Sequence, residues 1–80
     1  MGKNIFTPDQ ATLQMLLRQI RRDAGLSQAE LAQRLGLPQS FVSKYELGER
    51  RLDLLEIRQI CKAVGLSLEE FVRKLEELLS

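Results

Sequence analysis

The chain has 80 residues, with 12 Lys and Arg against 11 Asp and Glu, so its formal net charge at pH 7 is +1. This length allows one domain around one core, and no apolar run reaches the roughly 18 residues of a membrane-spanning helix. The first residues lack the apolar stretch and cleavage site of a secretory signal. We therefore expect a cytoplasmic protein with no membrane partner.

Two residue types that often carry chemistry are scarce: the chain has no histidine and one cysteine, Cys61. Without His, a zinc site lacks ligands, and a Ser or Cys nucleophile lacks its usual general base. Cys61 falls on the apolar side of a predicted helix, so we interpret it as a small buried residue. We expect no enzyme, metal site or cofactor, and no small-molecule ligand is evident.

The charge is unevenly distributed along the chain. Residues 1–65 contain ten Lys and Arg against seven Asp and Glu, a net of +3, whereas residues 66–80 contain two against four, a net of −2. For binding to a polyanion, the position of the positive charges matters more than the net charge of the chain. The first 65 residues therefore weakly favour a nucleic-acid partner.

Helix one is predicted to begin after Thr7, with Pro8 as its first residue and Gln10 completing a capping box. Gly25 is suited to end it. The apolar residues between them recur at helical spacing: Leu13, Leu16, Leu17, Ile20 and Ala24. We interpret residues 1–7 as a flexible arm and residues 8–80 as a single domain.

Helix two is predicted to begin at Ser27, with Glu30 completing a second box. Helix three opens near Pro38 and runs to about Glu46. The linker between them, residues 36–38, is too short for an antiparallel reversal, so the two helices should cross steeply, and Ala32 is small enough to allow close contact. The residues expected to form the core under this corner are Leu31, Leu35, Leu37, Val42 and Tyr45.

Two further capping boxes predict helices four and five, Asp53 with Glu56 and Ser67 with Glu70. The apolar residues of helix four are Leu54, Ile57, Ile60, Cys61 and Val64, and those of helix five are Leu68, Phe71, Val72, Leu75, Leu78 and Leu79. No strand pattern occurs in the sequence. The prediction is an all-α fold of five helices.

The segment from Gln28 to Leu47 resembles the helix-turn-helix of phage Cro and repressor N-terminal domains and of the wider xenobiotic-response-element (XRE) family. The matching residues are Leu26, Ser27, Gln28, Leu31, Ala32, Leu35, Gly36, Gln39, Ser40, Val42, Ser43, Glu46, Gly48, the helix 54–64, Gly65, Leu66 and Ser67. The similarity covers about residues 13–75. It implies a lambda-repressor-like DNA-binding domain with its helix-turn-helix at about residues 28–47.

The resemblance also implies roles for individual residues. The residues expected to contact base edges are Gln39, Ser40, Ser43 and Lys44, and those expected to contact phosphates are Gln28, Arg50 and Arg51. Arg21 and Glu46 match a structural pair in the family. Simpler interpretations remain open, because Gln39 and Lys44 could be ordinary solvated side chains and residues 50–51 an ordinary polar loop.

Three residues depart from the family pattern or do not fit the role expected at their position. Pro38 stands where the family often has a capping Ser or Thr, so a side-chain cap is lost. Phe41 lies beside the expected reading face, where it could cover a thymine methyl or a sugar, or pack sideways on helix two. Glu49 places a negative charge in a loop expected near DNA.

These observations predict a sequence-specific double-stranded DNA-binding transcriptional regulator, a repressor or controller protein acting as a homodimer on a palindromic operator. The dimer interface is expected on helix five, at Leu75, Leu78 and Leu79, because an apolar stripe there has little core left to cover it. The near-neutral charge and the same stripe leave an alternative, a helix-turn-helix-fold interaction module or antitoxin component with little DNA readout.

Overall fold

The computed structural model describes residues 7–80, and these contain helices and connecting turns but no strand. The helices are α1 (Pro8–Asp23), α2 (Gln28–Leu35), α3 (Gln39–Leu47), α4 (Leu54–Val64) and α5 (Leu68–Leu79). The predicted all-α, five-helix architecture is confirmed. The predicted arm lies outside the described residues except for Thr7, which caps α1.

The helix starts follow the capping residues in the sequence. Reciprocal capping boxes open α2, α4 and α5, formed by Ser27 with Glu30, Asp53 with Glu56, and Ser67 with Glu70. At α1, the Thr7 hydroxyl accepts the backbone N–H of Gln10 at 3.1 Å, but residues 7–80 show no return bond from the Gln10 side chain. The predicted box at α1 is therefore only half formed.

All five helices contribute to one core. The buried apolar residues are Leu16, Leu17, Ile20, Leu31, Ala32, Val42, Tyr45, Ile57, Ile60, Cys61 and Phe71. Burying a large apolar side chain stabilises a fold by about 1.5–3 kcal/mol, so this cluster is the main driving force. The small side chain of Ala32 is itself buried, where α2 packs closely on α3.

Four residues that the apolar patterns placed toward the core are exposed instead, one of them Val72 on α5. Leu37 is 42% exposed in the α2–α3 turn, and Leu54 is 61% exposed in the first turn of α4. Ala24, also exposed, follows the last residue of α1 as its C-cap. Helical periodicity identifies the side of a helix that faces inward, but not whether its ends extend beyond the neighbouring helices.

In the described part of the chain, no helix has both the length and the apolar character to cross a membrane.

Candidate nucleic-acid interface

The two sides of α3 differ in polarity and burial. Val42, Tyr45 and Glu46 are buried against the rest of the domain. On the remaining surface the predicted base-contacting residues lie together: Gln39, Ser40 and Lys44 are exposed and Ser43 is half-buried. An α-helix with side chains fits the width of a DNA major groove. The outer face of α3 is therefore a polar surface of the right size to enter one.

Glu46 is a buried acid beneath this polar surface. Arg21, on α1, donates to both carboxylate oxygens, from Nε to Oε2 at 2.7 Å and from Nη2 to Oε1 at 3.0 Å. Its remaining terminal nitrogen, Nη1, donates to the backbone carbonyl of Leu26 at 2.9 Å. The structure thus brings Arg21 and Glu46 into a two-pronged ion pair that fixes α3 to α1.

This pair shifts the proton affinity of both partners. Burial alone would raise the pKa of the Glu46 carboxyl, but the hydrogen bonds from Arg21 and Gln28 outweigh it, and the net pKa is lowered. The hydrogen bond to Glu46 likewise raises the pKa of the Arg21 guanidinium. Both groups are therefore charged at neutral pH, and each cancels the charge of the other.

Gln28 connects the buried pair to the first residue of α3. Its side-chain nitrogen donates to Glu46 Oε1 at 3.0 Å, and its side-chain oxygen accepts from Gln39 Nε2 at 3.5 Å. Gln28 was predicted only as a phosphate contact, so its link to Glu46 was missed. The hydrogen bond to the buried Glu46 fixes the Gln28 side chain. Gln39 therefore has a hydrogen-bond partner of fixed orientation at the protein surface.

Two residues of α1 that the sequence interpretation passed over also contact Glu46. Gln14 donates from Nε2 to the Glu46 backbone carbonyl at 3.4 Å, and Arg18 Nε lies 3.7 Å from Glu46 Oε1 while its side chain remains exposed. Residues 14, 18 and 21 are spaced three or four apart, which places them on one face of α1. This spacing could have indicated from the sequence that Gln14 and Arg18 lie beside Arg21 and contact the same acid.

The loop between α3 and α4 holds the two arginines predicted to contact phosphate. Arg51 is exposed. Arg50 instead forms a two-pronged ion pair with Glu56, with Nη2 2.7 Å from Oε2 and Nη1 3.1 Å from Oε1. Its guanidinium carbon also lies 4.6 Å from the centre of the Phe41 ring. The Phe41 side chain is half-buried against the core, with Arg50 over its ring.

The residues predicted for the dimer interface lie on α5, which packs against α1 and α4. Leu78 is 48% exposed and Leu79 is 38% exposed, whereas Leu75 is half-buried against the core. Val72, about one turn before Leu75 on the same helix, is also exposed. The accessible part of the α5 stripe therefore consists mainly of Val72, Leu78 and Leu79.

Comparisons with known proteins agree with this architecture. The helix-turn-helix (HTH_3) family model matches residues 17–71. A solved XRE-family like protein from Pseudomonas syringae pv. tomato str. DC3000 is 44% identical, with a TM-score of 0.82 over 90% of this chain and 88% of that one. A mutant of the restriction-modification controller protein C.Esp1396I is 25% identical, with a TM-score of 0.81 over 92% of this chain and 95% of that one.

A sequence relative comes from Sinorhizobium fredii (strain NBRC 101917 / NGR234), where it is named an uncharacterized HTH-type transcriptional regulator, y4dJ. The two are 33% identical over 58 residues, which cover 72% of this chain and 75% of that protein. The family match spans more than half of the chain, and its limits enclose the α2–α3 corner and the buried Arg21–Glu46 pair. The chain therefore belongs to the helix-turn-helix family of Cro/C1-type (XRE) regulators and is a DNA-binding transcriptional regulator.

Proposed function

We propose that the protein is a sequence-specific regulator that inserts α3 into a DNA major groove and acts as a homodimeric repressor or controller protein on a palindromic operator. The observation that carries this proposal is the polar outer face of α3, whose first residue, Gln39, is connected through Gln28 to the buried Glu46. A reading side chain that is oriented before binding loses less freedom when it contacts a base.

The residue types on this face suit base recognition. A glutamine amide can donate to and accept from an adenine edge at once, and a lysine can donate to the O6 and N7 acceptors of guanine. Gln39 and Lys44 are exposed, five residues apart on α3. They would supply the direct readout, with Ser40 and Ser43 as shorter hydroxyl contacts between them.

The proposed dimer follows from the size of this face and from α5. One α3 reaches too few base pairs to select a site in a genome, whereas two copies related by a two-fold axis read two half-sites about 34–36 Å apart. The exposed Leu78 and Leu79 offer an apolar surface for that contact. The controller role is supported by the likeness to a restriction-modification controller protein.

Selection of bound duplexes from a random library tests the proposal, because it yields a consensus site only if the protein reads sequence. On that site, Gln39→Ala and Lys44→Ala should each cost about 1–3 kcal/mol of binding free energy. Lys62→Ala, which removes an exposed charge from the last turn of α4, is the matched control and should cost little. Unchanged affinity and site preference in both α3 variants would contradict the assignment.

The exposed apolar residues of α5 also favour a second candidate, an interaction module or antitoxin component with little DNA readout. A salt titration against random duplex DNA separates the two. A regulator that contacts several phosphates loses affinity steeply as salt rises. An interaction module binds random DNA weakly at every salt concentration.

A further inference from the structure

Arg50 and Arg51 are consecutive residues with different surroundings. Both terminal nitrogens of Arg50 are directed at Glu56, and its Nη1 also donates to the backbone carbonyl of Arg51 at 3.0 Å. The Arg51 side chain is exposed and takes part in no ion pair within residues 7–80. The Arg50 side chain is thus bound within the protein, and its hydrogen bond to the Arg51 carbonyl orients that peptide group.

Glu56 is held in place independently of Arg50. Its Oε1 accepts the backbone N–H of Asp53 at 2.9 Å, and Asp53 Oδ1 accepts the backbone N–H of Glu56 at 2.8 Å. The pKa of the Glu56 carboxyl is lowered, chiefly by the hydrogen bonds from Arg50 and then by the Asp53 backbone N–H. Arg50 therefore binds a carboxylate that the start of α4 has already oriented.

Arg50 also covers the edge of α3. Its guanidinium carbon lies 4.6 Å from the centre of the Phe41 ring, and that ring packs edge-on against Tyr45, with centroids 5.6 Å apart and planes at 75°. A guanidinium over an aromatic face is attracted by the negative face of the ring. A single side chain therefore joins α3 to the first turn of α4, across the loop that carries Arg51.

We propose that Arg50 is a positioning residue: it holds the α3–α4 loop so that Arg51 contacts a DNA phosphate, and it does not bind phosphate itself. This inference rests on the proposed function and refines it. The Glu56 carboxylate and the Arg51 carbonyl take up three of the five N–H donors of Arg50, and the carboxylate cancels its charge. A phosphate bound by the remaining donors of Arg50 would lie beside the Glu56 carboxylate, which would repel it.

Substitution of Glu56 distinguishes the two roles of Arg50. Glu56→Gln keeps a residue type that supports the capping box but removes the charge that holds Arg50. If Arg50 positions the loop, this change should weaken binding to random duplex DNA several-fold. If Arg50 were a phosphate contact, releasing it from a competing carboxylate should tighten that binding, and this result would overturn the proposal.

Salt dependence and a conservative variant extend the test. Arg51→Ala should flatten the slope of log K against log salt concentration by about 0.9, because one phosphate contact is lost. Arg50→Ala should flatten the slope by up to the same amount, because Arg51 is then no longer held against its phosphate, and it should change little further when added to Arg51→Ala. Arg50→Lys keeps the charge but not the two-pronged bond, so it should behave like Arg50→Ala. Recovery of the wild-type slope in Arg50→Lys, or a loss of slope of about 1.8 in the Arg50→Ala, Arg51→Ala double variant, overturns the proposal.

A measurement without DNA separates this inference from the proposed function. In a carboxyl NMR titration, the pKa of Glu56 should rise in Arg50→Ala and stay unchanged in Lys62→Ala. No rise in Arg50→Ala overturns the positioning role. If the pKa rises but the wild-type protein binds no duplex DNA at any salt concentration, the proposed function fails and the phosphate role of Arg51 fails with it, while the link between α3 and α4 stands.

Discussion

A negative charge directly beneath a DNA-binding surface would repel the ligand unless it is cancelled locally. Glu46 lies beneath the face of α3 that we propose to bind DNA, and the guanidinium of Arg21 cancels its charge through two hydrogen bonds. Glu46 Oε1 also accepts a hydrogen bond from Gln28, whose side chain leads outward to Gln39 on the outer face of α3. The acid therefore contributes to the surface by orienting its neighbours rather than by its net charge.

A double-mutant cycle on Arg21 and Glu46 should show strong coupling. Because both side chains are buried, Arg21→Met or Glu46→Gln should each destabilise the fold, by as much as about 3–5 kcal/mol if the remaining charge stays buried without a partner. The double variant should cost less than the sum of the two. Urea unfolding of the four proteins measures this, and additive costs would show that the pair contributes no coupling.

The same pair should make stability depend on pH. The pKa of Glu46 in the folded protein lies below its usual value of about 4.5. A carboxyl with a lowered folded pKa stabilises the protein above its unfolded pKa, and this contribution is lost as the pH falls through the folded pKa. The free energy of unfolding should therefore fall more steeply below about pH 4.5 in the wild type than in Glu46→Gln. Parallel pH profiles would contradict this.

Cys61 should be unreactive in the folded protein. It is fully buried in the core, and burial raises the pKa of its thiol to about 11. Because the thiolate is the reactive form, a shift of this size alone should slow labelling by a factor of about 100. Reaction with a thiol reagent should be slow in native buffer and fast in urea. Rapid labelling under native conditions would show that the core opens readily at this point.

At the scale of the helices, the sequence predicted where helices begin better than it predicted which side chains are buried. The boxes at Ser27, Asp53 and Ser67 specify where helices start because each satisfies free N–H groups with side chains close in sequence. Leu37 and Leu54 were misplaced because their burial depends on which helix lies opposite. The Arg50–Glu56 pair was missed for a similar reason, since nothing in the sequence indicates that the loop turns Arg50 toward α4.

Two glycines with similar backbones provide a matched comparison. Gly36 and Gly48 end α2 and α3 with φ of 71° and 83°, a region that costs other residues about 1–2 kcal/mol. A Cβ at Gly36 would meet open space, whereas at Gly48 it would collide with the flexible end of the Gln14 side chain, which would have to move and give up its hydrogen bond to the Glu46 carbonyl. Gly48→Ala should therefore destabilise the fold more than Gly36→Ala, as measured by thermal unfolding.

A further substitution identifies the cause of that difference. Gln14→Ala removes the side chain that a Cβ at Gly48 would meet, so adding Gly48→Ala in that background should cost about as much as Gly36→Ala does alone. If Gly48→Ala remains more costly in the Gln14→Ala background, the excess comes from the backbone rather than from the collision.

For the whole molecule, the first question is whether α5 joins two copies. Leu78 and Leu79 are exposed, so Leu78→Asp with Leu79→Asp should leave the monomer folded while preventing association. Sedimentation at tens of micromolar should show a dimer for the wild type and a monomer for this variant, with much poorer operator binding. Leu55→Asp, at an exposed leucine of α4, is the control. A monomeric wild type would contradict the dimer.

The missing side-chain cap at the start of α3 should affect how this end of the helix moves before and after DNA binds. Pro38 provides no side-chain hydrogen bond there, whereas the other four helices of the described chain each have one. The backbone amide of Phe41, which bonds to the Pro38 carbonyl, should therefore exchange with deuterium faster than that of Glu30, which bonds to the Ser27 hydroxyl, because an end without a side-chain cap opens at little cost. If α3 enters the major groove as proposed, operator DNA should slow this exchange, and the start of α3 would become fully ordered only on its target.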